Sequence, residues 1–308
     1  MSQGSLFGGP AVRAMPERAD LVALAEALPG LRLGTSSWSF PGWRGHVWRD
    51  PVSPDLLSSD GLEAYAQHPL FRTVSIDRTY YRLPEPGVLA AYARQVPEGF
   101  RFVVKAPSVV GSSKLRGRDN PHALDPAWVR EEALARFVEL GDRLGAVLLQ
   151  LPPQDPDAFG DRFYHRLAEV LAVQLPWVVE VRTPEWVTPD LRAVLAETHT
   201  VPCLSVHPRM PDLRTQWRVL DLGRVPELHI RWNLGSGLDY EGARDRYAPF
   251  DRMVDPDPGT RDKLARSIAW MLERDRPVWV IANNKAEGCA PLTLEALARA
   301  VLGLRRTA

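Results

Sequence analysis

The chain has 308 residues and a formal net charge of zero, with 45% hydrophobic and 25% charged residues. This balance is typical of a soluble globular protein that is large enough for two ordinary domains or one α/β barrel. It argues against bulk attraction to nucleic acid or to an anionic membrane, so any preference for anions must be local.

The number of cysteines and the length of the apolar runs predict the cellular compartment, because they argue against a disulfide-bonded protein and a membrane protein. Cys203 and Cys289 are too few for a disulfide framework or a four-cysteine zinc site. Apolar runs stay short of the about 18 residues that span a bilayer, and the N-terminus lacks a basic segment followed by an apolar one. We therefore expect a cytoplasmic protein without a membrane partner, and composition does not fix its oligomeric state.

Eight short apolar runs follow an N-terminal stretch, 1–15, whose composition predicts a flexible tail. The predicted strands are 31–35, 73–77, 101–105, 146–150, 177–182, 201–207, 227–232 and 278–283. Helical patterns separate most of them, which favours a single TIM-type (β/α)8 barrel over residues 16–308. An open doubly wound sheet is the alternative, but no glycine fingerprint follows the first strand and no linker divides the chain.

Three connections are long, and all of them follow strands. They are SSWSFPGWRGHVWRDPVSPDLLSS after the first strand, APSVVGSSKLRGRDNPHALDP after the third and NLGSGLDYEGARDRYAPFDRMVDPDPG after the seventh. Long loops in a compact domain are typical of binding loops and lids. In a barrel they gather at the carboxyl ends of the strands, where active sites lie.

Strand parity predicts a ring of polar side chains inside this rim. Alternate residues of a barrel strand face the interior, so Glu180 and Arg182 of VVEVRTPEW point inward while Val179 and Val181 face the helices. The same test places inward Ser75 and Asp77, Val103 and Lys105, Leu148 and Gln150, Ser205 and His207, His229 and Arg231, and Asn283 or Asn284. Polar groups from separate segments therefore converge on one predicted site.

The charge of this ring favours an anionic ligand. The predicted cations are Lys105, Arg182, Arg231 and Lys285, against the carboxylates of Asp77 and Glu180. Arginine binds phosphate or carboxylate through paired hydrogen bonds. The glycine-bearing loops NLGSG and NNKAEG, with a helix predicted to start near Pro291, favour a phosphate seat after the last two strands.

Glu180 and Lys105 are the candidate catalytic residues. Glu180 is suited to proton transfer, and the alternative is a structural ion pair with Arg182 or Lys105. Lys105 is expected to act as a charge clamp, because a neighbouring Glu180 would keep it protonated and disfavour a Schiff base.

Other chemistries fit less well. Asp77, Glu180, His207 and His229 lack the spacing of a metal motif, so no metal or cofactor is predicted. A two-carboxylate glycosidase is disfavoured because Asp77 and Glu180 are the only available pair. Aromatic residues on the rim loops favour either stacking on a base or sugar, or loop packing. They are Trp38, Trp43, Trp48, Tyr80, Tyr81 and Trp186.

Six ordered blocks resemble those of the YecE-like family, domain of unknown function 72 (DUF72). The blocks are GTSSWSFPGWRG, VSIDRTYYRLP, GFRFVVKAP, GAVLLQLPP, VVEVRTPEW and WVIANNKAEGCAP, and the resemblance runs from about Leu31 to Leu302. It implies a TIM-type barrel without a settled activity. The signature positions that it implies are Thr35, Trp38, Tyr81, Lys105, Gln150, Glu180, Arg182, Trp186, Asn283 and Asn284.

Three blocks depart from the family pattern. Ser75, Ile76 and Asp77 stand where the family commonly has Glu-Ile-Asn, and VVGSSK replaces a Thr-His pair after Lys105. Trp232 and Asn233 replace an expected His-Gly. If the family's chemistry needs that glutamate or those histidines, this member binds its ligand without turnover.

Two hypotheses follow. The first is a metal-independent hydrolase or lyase acting on a phosphorylated small molecule or a nucleic-acid end. In it Lys105, Arg182 and Arg231 hold the anion while Glu180 transfers a proton. The second is a non-catalytic barrel that binds nucleic acid or a phosphorylated metabolite at the same rim.

Overall fold

A computed structural model of the protein describes residues 11–235 and 237–307. Eight parallel strands form one sheet: β1 Leu31–Thr35, β2 Thr73–Ile76, β3 Arg101–Lys105, β4 Leu144–Leu151, β5 Trp177–Val181, β6 Val201–Val206, β7 Leu228–Trp232 and β8 Val278–Ala282. Each strand from β2 to β7 pairs with the next strand in sequence. The last strand, β8, pairs with β1. The sheet is a nearly closed barrel, as predicted.

Helices connect the strands. They are α1 Ala19–Glu26, α2 Pro54–Ala66, α3 Val88–Ala93, α4 Ser108–Gly111, α5 Pro126–Trp128, α6 Leu134–Phe137, α7 Phe163–Leu171, α8 Pro189–Glu197, α9 Leu213–Val219, α10 Tyr240–Tyr247, α11 Pro258–Leu272 and α12 Ala290–Thr307. Shorter turns are 3-10 segments at Pro41–Trp43, Asp77–Tyr80, Val138–Arg143, Gly160–Arg162 and Pro184–Trp186, and a π turn at Val129–Ala133.

Local sequence explains where several helices begin. The side chains of Ser53, Thr188 and Asp257 cap α2, α8 and α11 by accepting a hydrogen bond from a first-turn amide, and a proline follows each of them. A capping oxygen satisfies an otherwise unpaired N–H, and proline at the first helical position sacrifices no bond. These caps fix the points at which the chain leaves the rim.

Two apolar layers lie on opposite faces of the sheet. The interior cluster consists of Val103, Ala146, Leu148, Val178, Val201, Cys203, Trp279 and Ile281. The larger cluster includes Val104, Val147 and Val179, the alternate residues of the same strands. This alternation confirms the predicted inward faces of β3, β4 and β5, and the interior below the mouth is filled by side chains.

The edge between β1 and β2, which we call the seam, is joined differently from the other pairs of neighbouring strands. Only an isolated bridge between Leu33 and Phe71 joins this edge among the described residues. The Tyr65 hydroxyl donates to the Thr73 carbonyl at 3.2 Å and accepts from the Thr35 amide at 3.1 Å. A Cβ atom at Gly34 would lie 2.1 Å from the Thr73 carbonyl oxygen, so glycine permits the close approach.

All eight predicted strands are present, with ends displaced by at most two residues. The predicted long loops contain short elements: α4 and a hairpin of Lys114–Leu115 with Arg118–Asp119 follow β3, and α10 follows β7. Within the predicted tail, Val12 is buried and the Met15 amide donates to the Val47 carbonyl; residues 1–10 lie outside the described residues. No described helix has both the length and the apolarity to cross a membrane.

Candidate functional site

The carboxyl ends of the strands surround a cavity of about 400 Å³. Ten of the predicted site residues line it: Trp38, Asp77, Tyr81, Lys105, Gln150, Arg182, His207, Arg231, Asn283 and Lys285. They come from all parts of the chain because each parallel strand delivers its last inward residue to the same rim. We call this space the mouth cavity.

Glu180 lies beneath the wall of the mouth cavity and is fully buried. Its Oε1 accepts hydrogen bonds from Arg182 Nη1 at 3.0 Å, Ser205 Oγ at 3.0 Å and Asn233 Nδ2 at 2.9 Å. Its Oε2 lies 3.7 Å from Arg231 Nε, and neither atom has a hydrogen-bond partner among the described residues. Glu180 therefore links two cavity arginines from below.

Asp77 forms a second ion pair with Arg231. Arg231 Nη1 donates to Asp77 Oδ1 at 3.2 Å and Nη2 donates to Oδ2 at 3.1 Å, which is a two-bond clasp. Asp77 also accepts from Ser75 Oγ at 2.5 Å. Arg231 thus bridges both carboxylates of the site, and its own charge is compensated.

The arginines keep both carboxylates ionised. Burial raises the pKa of Glu180, but the guanidinium groups of Arg182 and Arg231 outweigh it, so this pKa lies below its ordinary value. Burial also raises the pKa of Asp77, and Arg231 with Lys105 reverses the shift in the same way. Two carboxylates and two arginines therefore compensate each other's charge, with Glu180 and Arg231 buried and Asp77 and Arg182 partly exposed.

Lys105 ends β3 and reaches the cavity wall with little exposure. Its ammonium lies 3.9 Å from the centre of the Tyr80 ring, and no carboxylate of the described residues lies within 4.0 Å of it. Burial lowers the pKa of Lys105 to about 8, although Asp77 acts in the opposite direction. Of the two alternative ion-pair partners of Glu180, the structure has Arg182, at 3.0 Å, and not Lys105.

Lys285 occupies the side of the cavity formed after β8. Its ammonium lies 3.9 Å from the Tyr240 ring centre and 5.6 Å from that of Phe250. Asn283 fixes the start of this loop, since its Oδ1 accepts from the Lys285 amide and its Nδ2 donates to Ser36 Oγ, both at 3.0 Å. The two buried lysines therefore approach the cavity from opposite parts of the sequence.

Three predicted binding residues do not line the mouth cavity. Thr35 Oγ1 is used by Tyr65 and the Ser37 carbonyl, and the indole of Trp186 donates to the Pro156 carbonyl. Asn284 Oδ1 accepts from the Trp43 indole and from the Ala290 amide that begins α12. These positions support the rim through the hydrogen bonds of Thr35 Oγ1, the Trp186 indole and Asn284 Oδ1, whereas Asn284 Nδ2 is buried without a partner among the described residues.

Three amides of the predicted phosphate seat after β7 and β8 already donate hydrogen bonds within the protein. The Gly235 amide donates to the Lys285 carbonyl at 3.0 Å, the Gly288 amide to the Asn284 carbonyl at 2.8 Å and the Ala290 amide to Asn284 Oδ1 at 2.9 Å. A Cβ atom at Gly235 would lie 2.6 Å from the Ala286 carbonyl oxygen. Gly235 therefore allows the two loops to pack together, and the phosphate seat stays a prediction.

The aromatic rim residues divide between wall and packing. Tyr80, Tyr81 and Trp38 line the cavity, while Trp43 and Trp48 are fully buried against each other. Tyr81 is 85% exposed, which leaves its ring open to solvent. Loop packing is thus the role of Trp43, Trp48 and Trp186.

Asn233 is a site residue that the sequence interpretation treated only as a departure from a family pattern. It follows Arg231 by two positions, so the same parity test places it inward, and it donates to Glu180. Ser36 and Tyr240 also line the cavity, but strand parity does not mark them because Ser36 follows β1 and Tyr240 begins α10.

The suggested metal ligands do not come together. His229 Nε2 pairs with Glu227 Oε1 at 2.8 Å, and its ring stacks on Trp279 of the interior cluster. His207 lines the mouth cavity, where burial lowers its pKa to about 4. No group of three His, Cys, Asp or Glu residues suited to a metal ion occurs in the described part of the chain.

Comparison with solved structures identifies the same fold in other proteins. A DUF72 family protein from Enterococcus faecalis V583 superposes with a TM-score of 0.62 at 21% identity, over 88% of this chain and 95% of that protein. A DUF72 family protein from Thermotoga maritima MSB8 gives a TM-score of 0.59 at 20% identity, over 90% and 98% of the two chains. At these identities the likeness concerns the fold alone.

Sequence comparison identifies the family. The UPF0759 protein YecE of Escherichia coli strain K12 is 31% identical over 159 residues, and the same values hold for YecE of strain O157:H7. The alignment covers 50% of this chain and 49% of each relative, so the chain spans about half the length of the curated relatives it matches. The profile described as "Protein of unknown function DUF72" matches residues 32–307. The chain belongs to the DUF72 family.

Proposed function

We propose that the mouth cavity binds a small anion that carries a phosphate or carboxylate group. The observation that carries this proposal is the charge of the wall. Five cations line it, against one carboxylate, Asp77. They are Arg78, Lys105, Arg182, Arg231 and Lys285. With the Glu180 carboxylate beneath the wall included, five positive charges face two negative ones.

The five cations differ in whether their N–H groups already donate hydrogen bonds to protein atoms. Arg231 is held by Asp77, and Arg78 donates to Tyr92 and Ser58 outside the cavity. Arg182 uses one Nη atom on Glu180, which leaves further N–H groups for a ligand. Arg182, Lys105 and Lys285 are therefore the groups that we expect to contact the anion.

The reaction class that fits these groups is a metal-independent hydrolase or lyase, with Lys105 rather than Glu180 transferring the proton. Glu180 is fully buried, carries three donors on one oxygen and has a lowered pKa. A lysine with a pKa of about 8 is close to the value that proton transfer at neutral pH requires. Glu180 then serves as a positioning residue for Arg182 and Arg231.

A non-catalytic binding barrel is the second candidate. It is favoured by the observation that both carboxylates are held by arginines, which leaves no free carboxylate as a base. A cavity of about 400 Å³ would admit a metabolite or one terminal nucleotide phosphate, and a duplex would not enter it.

Calorimetric titration with inorganic phosphate tests the binding proposal. We expect Arg182→Ala to weaken phosphate binding by about tenfold or more, because it removes charge-assisted hydrogen bonds. Arg94→Ala, at an exposed position on the end of α3, is the matched control and should bind like the parent protein. Circular dichroism verifies folding. Equal phosphate affinity of Arg182→Ala and the parent would remove Arg182 from the site, and absence of phosphate binding in the parent would refute the proposal.

A further inference from the structure

We propose that Lys105 is an amine nucleophile that forms an imine with a carbonyl group of the bound anion. This inference rests on the proposed function and narrows its ligand class. The ligand would be a small oxo acid, or an aldehyde or ketone that carries a phosphate, with the anionic group held beside Arg182. Three independent features of the chain support it: residue choice, the surroundings of the amine, and the position of the arginines.

The basic residues of this chain are mostly arginine, and lysine is used at few positions. Of the 38 basic residues, 34 are arginine, and the lysines are Lys105, Lys114, Lys263 and Lys285. Two of these four lie buried on the wall of the mouth cavity. Arginine supplies permanent charge but does not lose its proton in proteins, whereas lysine can become a neutral nucleophile. Because arginine supplies most of the positive charge of this chain, a lysine on the cavity wall indicates a position where a ligand can react with the amine.

The surroundings of Lys105 increase the fraction of neutral amine. The residue is only 9% exposed, and both nearby carboxylates are engaged by guanidinium groups instead of by its ammonium. Burial lowers its pKa to about 8; Asp77 and Glu180 oppose this shift, and Arg231 and Arg182 add to it. At about pH 7.5 the neutral fraction is then about 200-fold larger than for a lysine with the ordinary pKa of about 10.4.

Geometry places the amine beside an anion site. Lys105, Arg182 and Arg231 line one cavity, so a ligand whose anionic group contacts Arg182 can present a neighbouring carbon to Lys105. The ring of Tyr80, 3.9 Å from the Lys105 nitrogen, holds the amine against the wall. Fixing the nucleophile and the anion in one small space makes the addition effectively intramolecular.

The chemistry is balanced without an oxidant, a reductant or a second substrate. The neutral Lys105 nitrogen adds to the carbonyl carbon while the carbon–oxygen π bond breaks, and one N–H proton moves to the oxygen to give a carbinolamine. The hydroxyl group takes a proton from solvent and leaves as water while the nitrogen lone pair forms the C=N bond, and the nitrogen keeps its second proton, so the product is the protonated imine. A protonated imine withdraws electrons from the adjacent carbon, which is the activation that a lyase requires.

Reductive trapping tests the proposal on the full chain. The protein is incubated with pyruvate, glyoxylate or pyridoxal 5′-phosphate in the presence of cyanoborohydride, and adducts are located by intact mass and peptide mapping. We expect one major adduct at Lys105 that excess inorganic phosphate suppresses at least tenfold. Its rate should rise with a midpoint near pH 8.

Variants separate the imine from general lysine reactivity. Lys105→Arg keeps the charge and should lose the major adduct, and Lys105→Met serves as a second variant if Lys105→Arg does not fold. Lys263→Arg replaces an exposed lysine of α11 outside the mouth cavity, and this control variant should retain the Lys105 adduct. Equal labelling of all four lysines, or trapping at Lys285 instead, would overturn the inference.

Failure of the imine and failure of the proposed function give different results. If calorimetry detects phosphate binding but none of the three carbonyl probes is trapped at Lys105, the imine is refuted and anion binding stands. If neither phosphate binding nor trapping occurs, both are refuted. Trapping at Lys105 that phosphate does not suppress would also overturn the inference, since the amine would then act outside the anion site.

Discussion

At the scale of single residues, Glu180 determines the charge balance beneath the mouth cavity. The Glu180 side chain is fully buried. It accepts hydrogen bonds from Arg182, Ser205 and Asn233, and its Oε2 lies 3.7 Å from Arg231 Nε. Removing one member of a buried ion pair leaves the partner's charge without compensation, which costs more than the pair contributes. Glu180 therefore matters to stability whether or not the protein is an enzyme.

We expect Glu180→Gln to lower the free energy of unfolding by about 3 kcal/mol, because two buried guanidinium groups lose a shared carboxylate. Urea denaturation at neutral pH measures the change. Glu185→Gln, at an exposed position in the 3-10 segment that follows β5, is the matched control and should stay within about 0.5 kcal/mol of the parent. Parental stability of Glu180→Gln would contradict the ion-pair role.

The pKa of Glu180 gives this effect a pH dependence. Its folded pKa is lowered by Arg182 and Arg231, so its stabilising contribution is complete above the unfolded pKa of about 4.3 and is lost as the pH falls through the folded value. The stability gap between the parent and Glu180→Gln should therefore shrink when urea denaturation is repeated in increasingly acidic buffer. A gap that widens below that pH would reverse the assigned direction.

At the scale of elements, the weakest seam of the barrel is the one between β1 and β2. Other neighbouring strands are joined by ladders, whereas Tyr65 and the Leu33–Phe71 bridge join this edge among the described residues. The seam stays narrow because Gly34 carries no Cβ atom. The loop after β1, which contributes Trp38 to the cavity wall, leaves the sheet directly beyond it.

We expect Gly34→Ala to destabilise the fold by about 2 to 3 kcal/mol, since the added Cβ forces the strand away from the Thr73 carbonyl. Gly99→Ala is the matched control, because a Cβ atom there meets nothing within 4 Å. Thermal and urea unfolding of both variants provide the measurement. If Gly34→Ala unfolds like the parent, the close approach does not limit this seam.

At the scale of the whole molecule, positive and negative charges balance, but positive charge is concentrated at the mouth cavity. The chain has no formal net charge, yet the wall of the mouth cavity carries five cations and one carboxylate. A local positive site on a neutral surface attracts a small anion at short range but provides no extended track for a polyanion. The molecule is thus better suited to one anionic group than to a nucleic-acid duplex.

This distribution predicts how binding responds to salt. We expect a 20-base-pair DNA duplex to bind more weakly than about 100 µM at physiological ionic strength. A single-stranded oligonucleotide with a 5′-phosphate should bind with a slope of log affinity against log salt of about −0.7, the value for one phosphate contact. Fluorescence anisotropy across a salt series measures both. A slope of −5 or steeper would indicate a groove that contacts many phosphates.

The sequence by itself determined the strands and the faces of their residues. Alternation is a local property, so parity placed Lys105, Gln150, Arg231 and His207 on the cavity wall without knowledge of the fold. The same test, carried two residues past Arg231, also includes Asn233. The family resemblance agreed with the barrel and with its extent along the chain.

Tertiary structure decided which groups pair with each other. Asp77 and Arg231 are 154 positions apart in sequence, and only the closed sheet makes their two-bond contact possible. The same closure assigns Asn284 to the start of α12 and uses the Gly235 amide within the rim. Parity states which side of a strand a residue faces, but hydrogen bonds depend on distances of about 3 Å between segments far apart in the chain. Those distances are set when the barrel closes.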